Sequence, residues 1–440
     1  MNLTINKVVN TLAWIILIIL ALLPFHAFLT VWLSSLAGHY TPLRLWKEFL
    51  LGVLFIGVVY LLFKDKNLLK EFTSSLLMRL VLIYCAISVV WGFAAYVLHK
   101  VTLKALGYGL IVNLRFLIFF MAVWVIAAKT PALRALWLKI LLIPAALVVF
   151  IGLLQRLVLP YDFLKHFGYN SNTIYPYETI NHNVNYPRVI STLRGANPLG
   201  AYMVLVLSAI YAVLIKSKQR RLQLSIFAAA SILVLIFSYS RSAWIGALLS
   251  VASLVLISLG RNKAQKLLLP VLGMALLVCV LVSIFLHHNS TFENIFFHTQ
   301  KNSAIKTTSD QGHLSAFKDG VRDVVHEPLG RGVGTAGPAS VYNNNKVRVP
   351  ENYYLQIAQE IGWAGMILFI IINYLVACEL WVRRKDMLAQ VLLASLVGIT
   401  FTNLLSHAWT DDTLAYLWWG LAGLATAPHY PAGKRSSPRR

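Results

Sequence analysis

The sequence predicts an all-α polytopic membrane protein with about twelve transmembrane helices. Three observations carry that expectation. Of 440 residues, 58% are hydrophobic and only 12% charged, with a mean hydropathy of +0.69, a balance that no water-soluble domain with one core sustains. Apolar runs of roughly twenty residues recur along the chain, each long enough to cross ~30 Å of hydrocarbon at ~1.5 Å per residue. The cations gather in short clusters beside those runs, so the formal net charge of +23 belongs to a membrane surface and implies no nucleic acid.

The runs fall at 11–34, 44–63, 75–97, 102–127, 134–158, 197–215, 221–239, 241–259, 266–287, 352–378, 387–407 and 412–428. The first follows Lys7 and exceeds the apolar stretch of a signal peptide, which predicts an uncleaved span. With the N-terminus cytoplasmic, the inside connections carry Lys64, Lys66 and Lys70, then Lys129, Arg134 and Lys139, then Lys216, Lys218, Arg220 and Arg221. Arg261, Lys263 and Lys266 follow, then Arg383, Arg384 and Lys385. Every inside connection is basic, which also places the C-terminus, with its basic tail 429–440, in the cytoplasm. The whole of 1–440 is therefore expected to form one integral membrane domain.

That orientation leaves two long polar segments outside: 160–196, and a larger loop, 288–351, between the ninth and tenth spans. Loops of this length in a compact protein are functional or disordered. In HLSAFKDGVRDVV of the second, Leu314, Phe317, Val321 and Val324 recur at helical spacing, predicting a lid whose helix lies on the membrane. Cys85, Cys279 and Cys378 are far apart and form no C-x-x-C pair, so no disulfide is expected. All histidines but His26 and His429 fall at or beyond the outer helix ends. None, the His287–His288 pair included, has convincing ligand spacing, and neither metal nor cofactor is expected.

Several polar residues invite chemistry. Arg241, in FSYSRSAW at the junction of two apolar helices, offers a planar fork that matches phosphate oxygens two at a time. Ser240 and Ser242 add hydroxyls, and the first turn of the following helix adds free N–H groups that favour an anion; the bland alternative is a snorkelling helix-end anchor. In RVISTLRGANPLGAY, Asn197 is the expected N-cap with Pro198 at the first helical position, so Arg188 and Arg194 stand near a second positive helix start. Two such entrances on one membrane face would clamp a pyrophosphate without the divalent metal that many phosphate enzymes use. Arg115 sits mid-span, where a charge is retained for a reason, either a phosphate contact or a structural pair with a carboxylate such as Glu360. Arg79, nearer an inner helix end, is expected to snorkel.

In VPENYYLQIAQEIG, Glu351 and Asn352 head the helix that follows the long loop. A carboxylate there either caps the helix or serves a hydroxyl nucleophile as general base. His313 is the competing base, with a pKa near neutrality. EPLGRGVGT is rich in glycine but follows no strand and opens no α/β unit, so it is a tight turn and not a nucleotide loop.

These segments, from RVISTLRGANPLGAY through FSYSRSAWIG and GHLSAFKDGVRDVVHEPLGRGVGT to ENYYLQIAQEIGWAG, resemble in order and topology the O-antigen ligase and polymerase superfamily of bacterial envelope glycan enzymes. The resemblance implies a glycosyltransferase-C-like membrane enzyme of the bacterial plasma (inner) membrane, with a large periplasmic loop. Its donor would be an undecaprenyl-pyrophosphate-linked oligosaccharide, and its acceptor a hydroxyl on a glycan, lipid or wall. By position, Arg241 and an arginine of the Arg188/Arg194 pair would bind the donor pyrophosphate. Ligases of this superfamily commonly have histidine before the asparagine at the head of the post-loop helix, where this chain has Glu351, leaving the base open between Glu351 and His313. The expected reaction is inverting, by direct displacement, in either a polymerase or a ligase. A twelve-span transporter or lipid-linked glycan flippase is the rival reading, weakened by the absence of any repeat of halves.

Overall fold

The structure, a computed structural model, describes residues 3–181, 183–260, 262–264, 266, 309–344 and 346–428. Thirteen helices are used below: α1 Leu3–Leu22, α2 His26–Ala37, α3 Trp46–Lys64, α4 Leu76–Val97, α5 Leu103–Lys129, α6 Trp137–Leu157, α7 Ala196–Lys216, α8 Arg221–Phe237, α9 Arg241–Leu259, α10 Ser309–His326, α11 Tyr353–Val382, α12 Met387–Leu404 and α13 Asp412–Thr426. Among the described residues nine helical segments are long and apolar enough to cross a membrane, where twelve spans are expected from sequence. The difference has three sources. α8 has 17 residues, one fewer than the shortest of the nine, α12 with 18. α13 has 15, about 22 Å of helix, and is enclosed by its neighbours instead of facing lipid. The expected span at 266–287 lies outside the described residues. The first span also differs in form, because it is interrupted at Leu23–Phe25, where Pro24 has no amide hydrogen with which to continue the ladder.

α5 and α13 form the centre of the bundle. Phe116, Phe119 and Phe120 of α5 meet Tyr416 and Trp419 of α13 with ring centroids 5.1–5.5 Å apart. α9 and α12 pack through small residues: a Cβ at Gly246 would stand 2.8 Å from the Gly398 carbonyl oxygen, the close backbone approach that holds helices together where the hydrophobic effect cannot. The outer faces of α3 and α4 present large apolar side chains such as Phe49, Ile56, Phe63 and Val90.

A buried ionic cluster joins the interrupted first span to the core. Lys47, only 1% exposed, lies 2.9 Å from Asp412 and 3.1 Å from Glu48. Arg115 pairs with Asp412, approaches Glu48 at 3.2 Å and donates to the Thr410 carbonyl at 2.8 Å. His26, just past the break, completes the group 3.2 Å from Asp412. Two cations face two carboxylates, so the cluster is neutral, as burial requires.

The glycine-rich segment after α10 forms the expected tight turns and packs against α11 and α5. α11 is kinked at Ile361–Gly362, with Gly362 at φ 74°, which frees the Gln359 and Glu360 carbonyls from their helical partners. The amides of Arg331 and Gly332 donate to those carbonyls at 2.8 Å, and the Trp363 amide donates to Pro328 at 3.0 Å. The Glu360 carboxylate accepts from the Gly334 amide at 2.8 Å and from Asn113 at 2.5 Å. Gly334, at φ 91°, leaves no room for a side chain: a Cβ would lie 2.5 Å from the Ala105 carbonyl oxygen.

The first long loop departs from the all-α expectation. It contains an antiparallel hairpin, β1 Glu178–Ile180 and β2 Asn183–Arg188, with Glu178 opposite Arg188. At the far end of the bundle, Lys129 pairs with Asp65, and Arg134 with Asp386 at 2.8 Å. These contacts bring the basic connections after α3, α5 and α11 together on one side.

Candidate functional site

Opposite those basic connections, the starts of α7, α9 and α11, the end of α12 and one face of α10 enclose a cavity of about 600 Å³. Arg188, Asn197, Arg241, His313 and Glu351 line it, with Tyr239, Ser240, Ser242, Leu314 and Phe317 among the rest.

The arginine wall forms because α8 and α9 are joined by only Ser238, Tyr239 and Ser240. Tyr239 takes φ 50°, unusual for a bulky residue and of the kind found where a site over-determines the backbone. The turn sets Ser240 at the N-cap without a side-chain capping bond. Ser240 is 2% exposed, and its Oγ has no hydrogen-bond partner among the described residues. A buried hydroxyl at a helix start, next to Arg241 and facing a cavity, suits an anion.

Arg188 is held at the end of β2 by three groups: its Nε donates to the Ser238 carbonyl at 2.9 Å, its Nη2 donates to Asn197 Oδ1 at 2.7 Å, and its Nη1 lies 3.5 Å from Glu178. Burial lowers its pKa below the usual guanidinium value; Glu178 opposes that shift and the like charge of Arg241 adds to it. Two arginines thus stand within electrostatic reach of each other on the cavity wall.

The α7 entrance differs from expectation. Its N-cap is Gly195, without a side-chain cap, while Asn197 accepts from Arg188 and the Ala196 amide donates to Glu178 at 3.2 Å. The hairpin register opposite Arg188 delivers that carboxylate to the helix start, so of the two helix entrances expected to clamp an anion, that of α7 already holds a carboxylate. Arg194 is exposed and absent from the lining; its charge instead acts on Tyr40 and Asp411. Arg115 lies in the ionic cluster described above, paired through Nη1 and Nη2 with Glu48 and Asp412 and not with Glu360.

Across from the arginines stands Glu351, at φ 54°. Asn352, not Glu351, caps α11: its Oδ1 accepts from the Leu355 amide and its Nδ2 donates to the Leu404 carbonyl, both at 3.0 Å. The Glu351 side chain is left to the cavity. His313 Nδ1 lies 3.6 Å from Glu351 Oε2, and His407 Nδ1 lies 4.0 Å from the same oxygen. Burial raises the Glu351 pKa, and the neighbouring His313 partly offsets the rise. His407, in the turn after α12, has its pKa lowered to about 4 by burial and by His313. Sequence reasoning missed His407, because nothing in SHAWTDD indicates that the α12 end returns to the head of α11. Leu314 and Phe317 of α10 line the cavity, whereas Val324 of the same stripe is buried against protein.

Residues 226–370 match a family model described as O-antigen ligase. This segment is similar to the O-antigen ligase family. The O-antigen ligase segment runs from within α8 to within α11 and includes Arg241, His313 and Glu351, while Arg188, Asn197 and His407 lie outside it. No curated protein matches the chain. The chain is thus a helical protein with nine described segments long and apolar enough to cross a membrane, similar over residues 226–370 to the O-antigen ligase family.

Proposed function

We propose that the protein transfers a glycan from an undecaprenyl-pyrophosphate-linked donor to an acceptor hydroxyl at the extracytoplasmic face of a bacterial plasma membrane. One observation carries the reading: the cavity gathers two arginines, a helix start, a carboxylate and a histidine from separate segments of the chain. The basic connections at the other end of the bundle support a cytoplasmic position for that end and for both termini.

In this reading the acceptor oxygen attacks the anomeric carbon as the bond to the pyrophosphate oxygen breaks. The electron pair leaves with the pyrophosphate, and the configuration inverts. Arg241 and Arg188, with the α9 amides, stabilise the charge that grows on the leaving group, supplying what other phosphate enzymes take from a divalent metal. Glu351 takes the hydroxyl proton; burial makes it a stronger base than an exposed carboxylate. His313 is the alternative acceptor of that proton. Leu314 and Phe317 of α10 shield the donor from water.

Gel-ladder and mass analysis of envelope glycans in deletion cells, complemented by wild type or Arg241→Ala, tests the reading. Lipid-linked single repeat units that accumulate unless wild type is restored identify a polymerase. Long chains retained on lipid identify a ligase. Donor stranded on the cytoplasmic leaflet, with no loss of transfer outside, would instead indicate a transporter.

A further inference from the structure

Arg188 is held by unequal contacts. Its bonds from Nε to the Ser238 carbonyl and from Nη2 to Asn197 are of ordinary length, 2.9 and 2.7 Å, and they fix the guanidinium on the cavity wall. Nη1 faces the Glu178 carboxylate at 3.5 Å, longer than a charge-assisted hydrogen bond. The same oxygen, Glu178 Oε2, accepts from the Ala196 amide at 3.2 Å, one of the donors that the first turn of a helix leaves without a helical partner. A cross-strand ion pair would require Arg188 alone, yet this carboxylate also reaches the α7 start, and its side chain stays 38% exposed. Glu178 is thus an anion loosely seated where a guanidinium and a helix start converge.

Two neighbours tie that seat to the cavity wall. Gly195 gives the carboxylate its room, since a Cβ there would stand 2.5 Å from Glu178 Oε1. Just inside α7, a Cβ on Gly200 would lie 2.8 Å from the Ser240 and Ala243 Cβ atoms and 3.2 Å from Ser240 Oγ, so the α7 and α9 starts are in contact. The Ser240 hydroxyl, buried and without a hydrogen-bond partner among the described residues, stands where the two starts meet.

We propose that Glu178 is a built-in competitor of the donor: it occupies the place of one phosphate at Arg188 and the α7 start, and the incoming pyrophosphate displaces it. The inference rests on the proposed function and deepens it, adding what sets the affinity for the donor. One phosphate lies at Arg241 and Ser240, and the other takes the seat of the carboxylate. Without donor, Glu178 supports the charge on Arg188, which burial and Arg241 both oppose; with donor, the phosphate does so and the carboxylate turns to solvent. After transfer, a returning Glu178 competes with the departing lipid pyrophosphate for Arg188 and hastens its release.

Binding of farnesyl pyrophosphate and of farnesyl phosphate to the full chain in phosphatidylcholine nanodiscs tests this, with thermal unfolding followed for each variant. Glu178→Gln is expected to tighten the pyrophosphate by about tenfold and to leave the monophosphate, which needs only Arg241 and Ser240, unchanged. Glu178→Asp, which keeps the charge but withdraws it from the α7 start, is expected to give a gain of the same sign. In Glu178→Gln/Gly195→Ala, the added methyl fills the seat and the gain is expected to vanish. If neither single variant tightens the pyrophosphate, Glu178 only supports Arg188 and the inference is overturned while the proposed function stands. An equal gain for both ligands, or a gain kept in the double variant, also overturns it, because either reports a lost negative charge and no shared seat. If Arg241→Ala binds both ligands as wild type does, the anion site of the proposed function fails and the inference falls with it.

Discussion

His407 Nδ1 lies 4.0 Å from Glu351 Oε2, the same carboxylate oxygen that His313 Nδ1 approaches at 3.6 Å. The two imidazoles reach it from different elements, His407 from the turn after α12 and His313 from the lid helix α10. Of the two, His313 is the one whose charge acts on the Glu351 pKa.

His313 holds the Glu351 pKa down against the rise caused by burial. Transfer should fall as the pH drops through the raised Glu351 pKa, above the ordinary value of 4.5, and His313→Gln should move that acid limb to higher pH. A pH–rate profile of each variant checks both expectations; an unmoved limb would show that His313 does not act on Glu351.

The same raised pKa has a consequence for stability. A carboxyl that binds its proton more tightly when folded stabilises the fold below 4.5, and the contribution is lost as the pH rises through the folded value. Glu351→Gln should therefore unfold at a higher temperature than wild type at neutral pH, and the two should converge below pH 4.5, while transfer is lost. Such exchange of stability for activity is common in active sites. Thermal unfolding in detergent across that range reads the effect.

For His407 the sign reverses. Burial lowers its pKa from 6.5 to about 4, so its contribution is present above 6.5 and declines as the pH falls toward 4. Wild type should lose thermal stability across that interval faster than His407→Gln does; parallel curves would contradict a buried neutral imidazole.

Arg115 and Arg241 should separate cleanly. Arg115→Met leaves Asp412 and Glu48 short of a cation and should destabilise the fold by about 3–5 kcal/mol, seen as lost monodispersity and a lowered unfolding temperature. Gly334→Ala should also destabilise, by about 1–3 kcal/mol, because φ 91° and the Ala105 carbonyl both exclude a Cβ.

The long apolar runs were legible in the sequence because about twenty consecutive apolar residues are what a lipid-facing span requires. Arg241 and Glu351 drew attention because each stands at the head of a helix that follows a polar turn or loop. What escaped was set by tertiary contact. The α13 helix is short and enclosed by its neighbours, and composition does not distinguish an enclosed helix from one that faces lipid. The partners of Arg115 and the carboxylate that Glu178 places at the α7 start come from segments remote in sequence. The chain between Lys266 and Ser309 lies largely outside the described residues, and the expected ninth span with it.

The most direct test of the account is glycan transfer by purified protein in nanodiscs from an undecaprenyl-pyrophosphate-linked oligosaccharide, comparing wild type with Arg241→Ala and Arg241→Lys while thermal unfolding is monitored. The account predicts about a 10²–10³-fold loss of transfer in Arg241→Ala, little rescue by lysine, which lacks the planar fork, and unfolding close to wild type. Full transfer by a stably folded Arg241→Ala would contradict it.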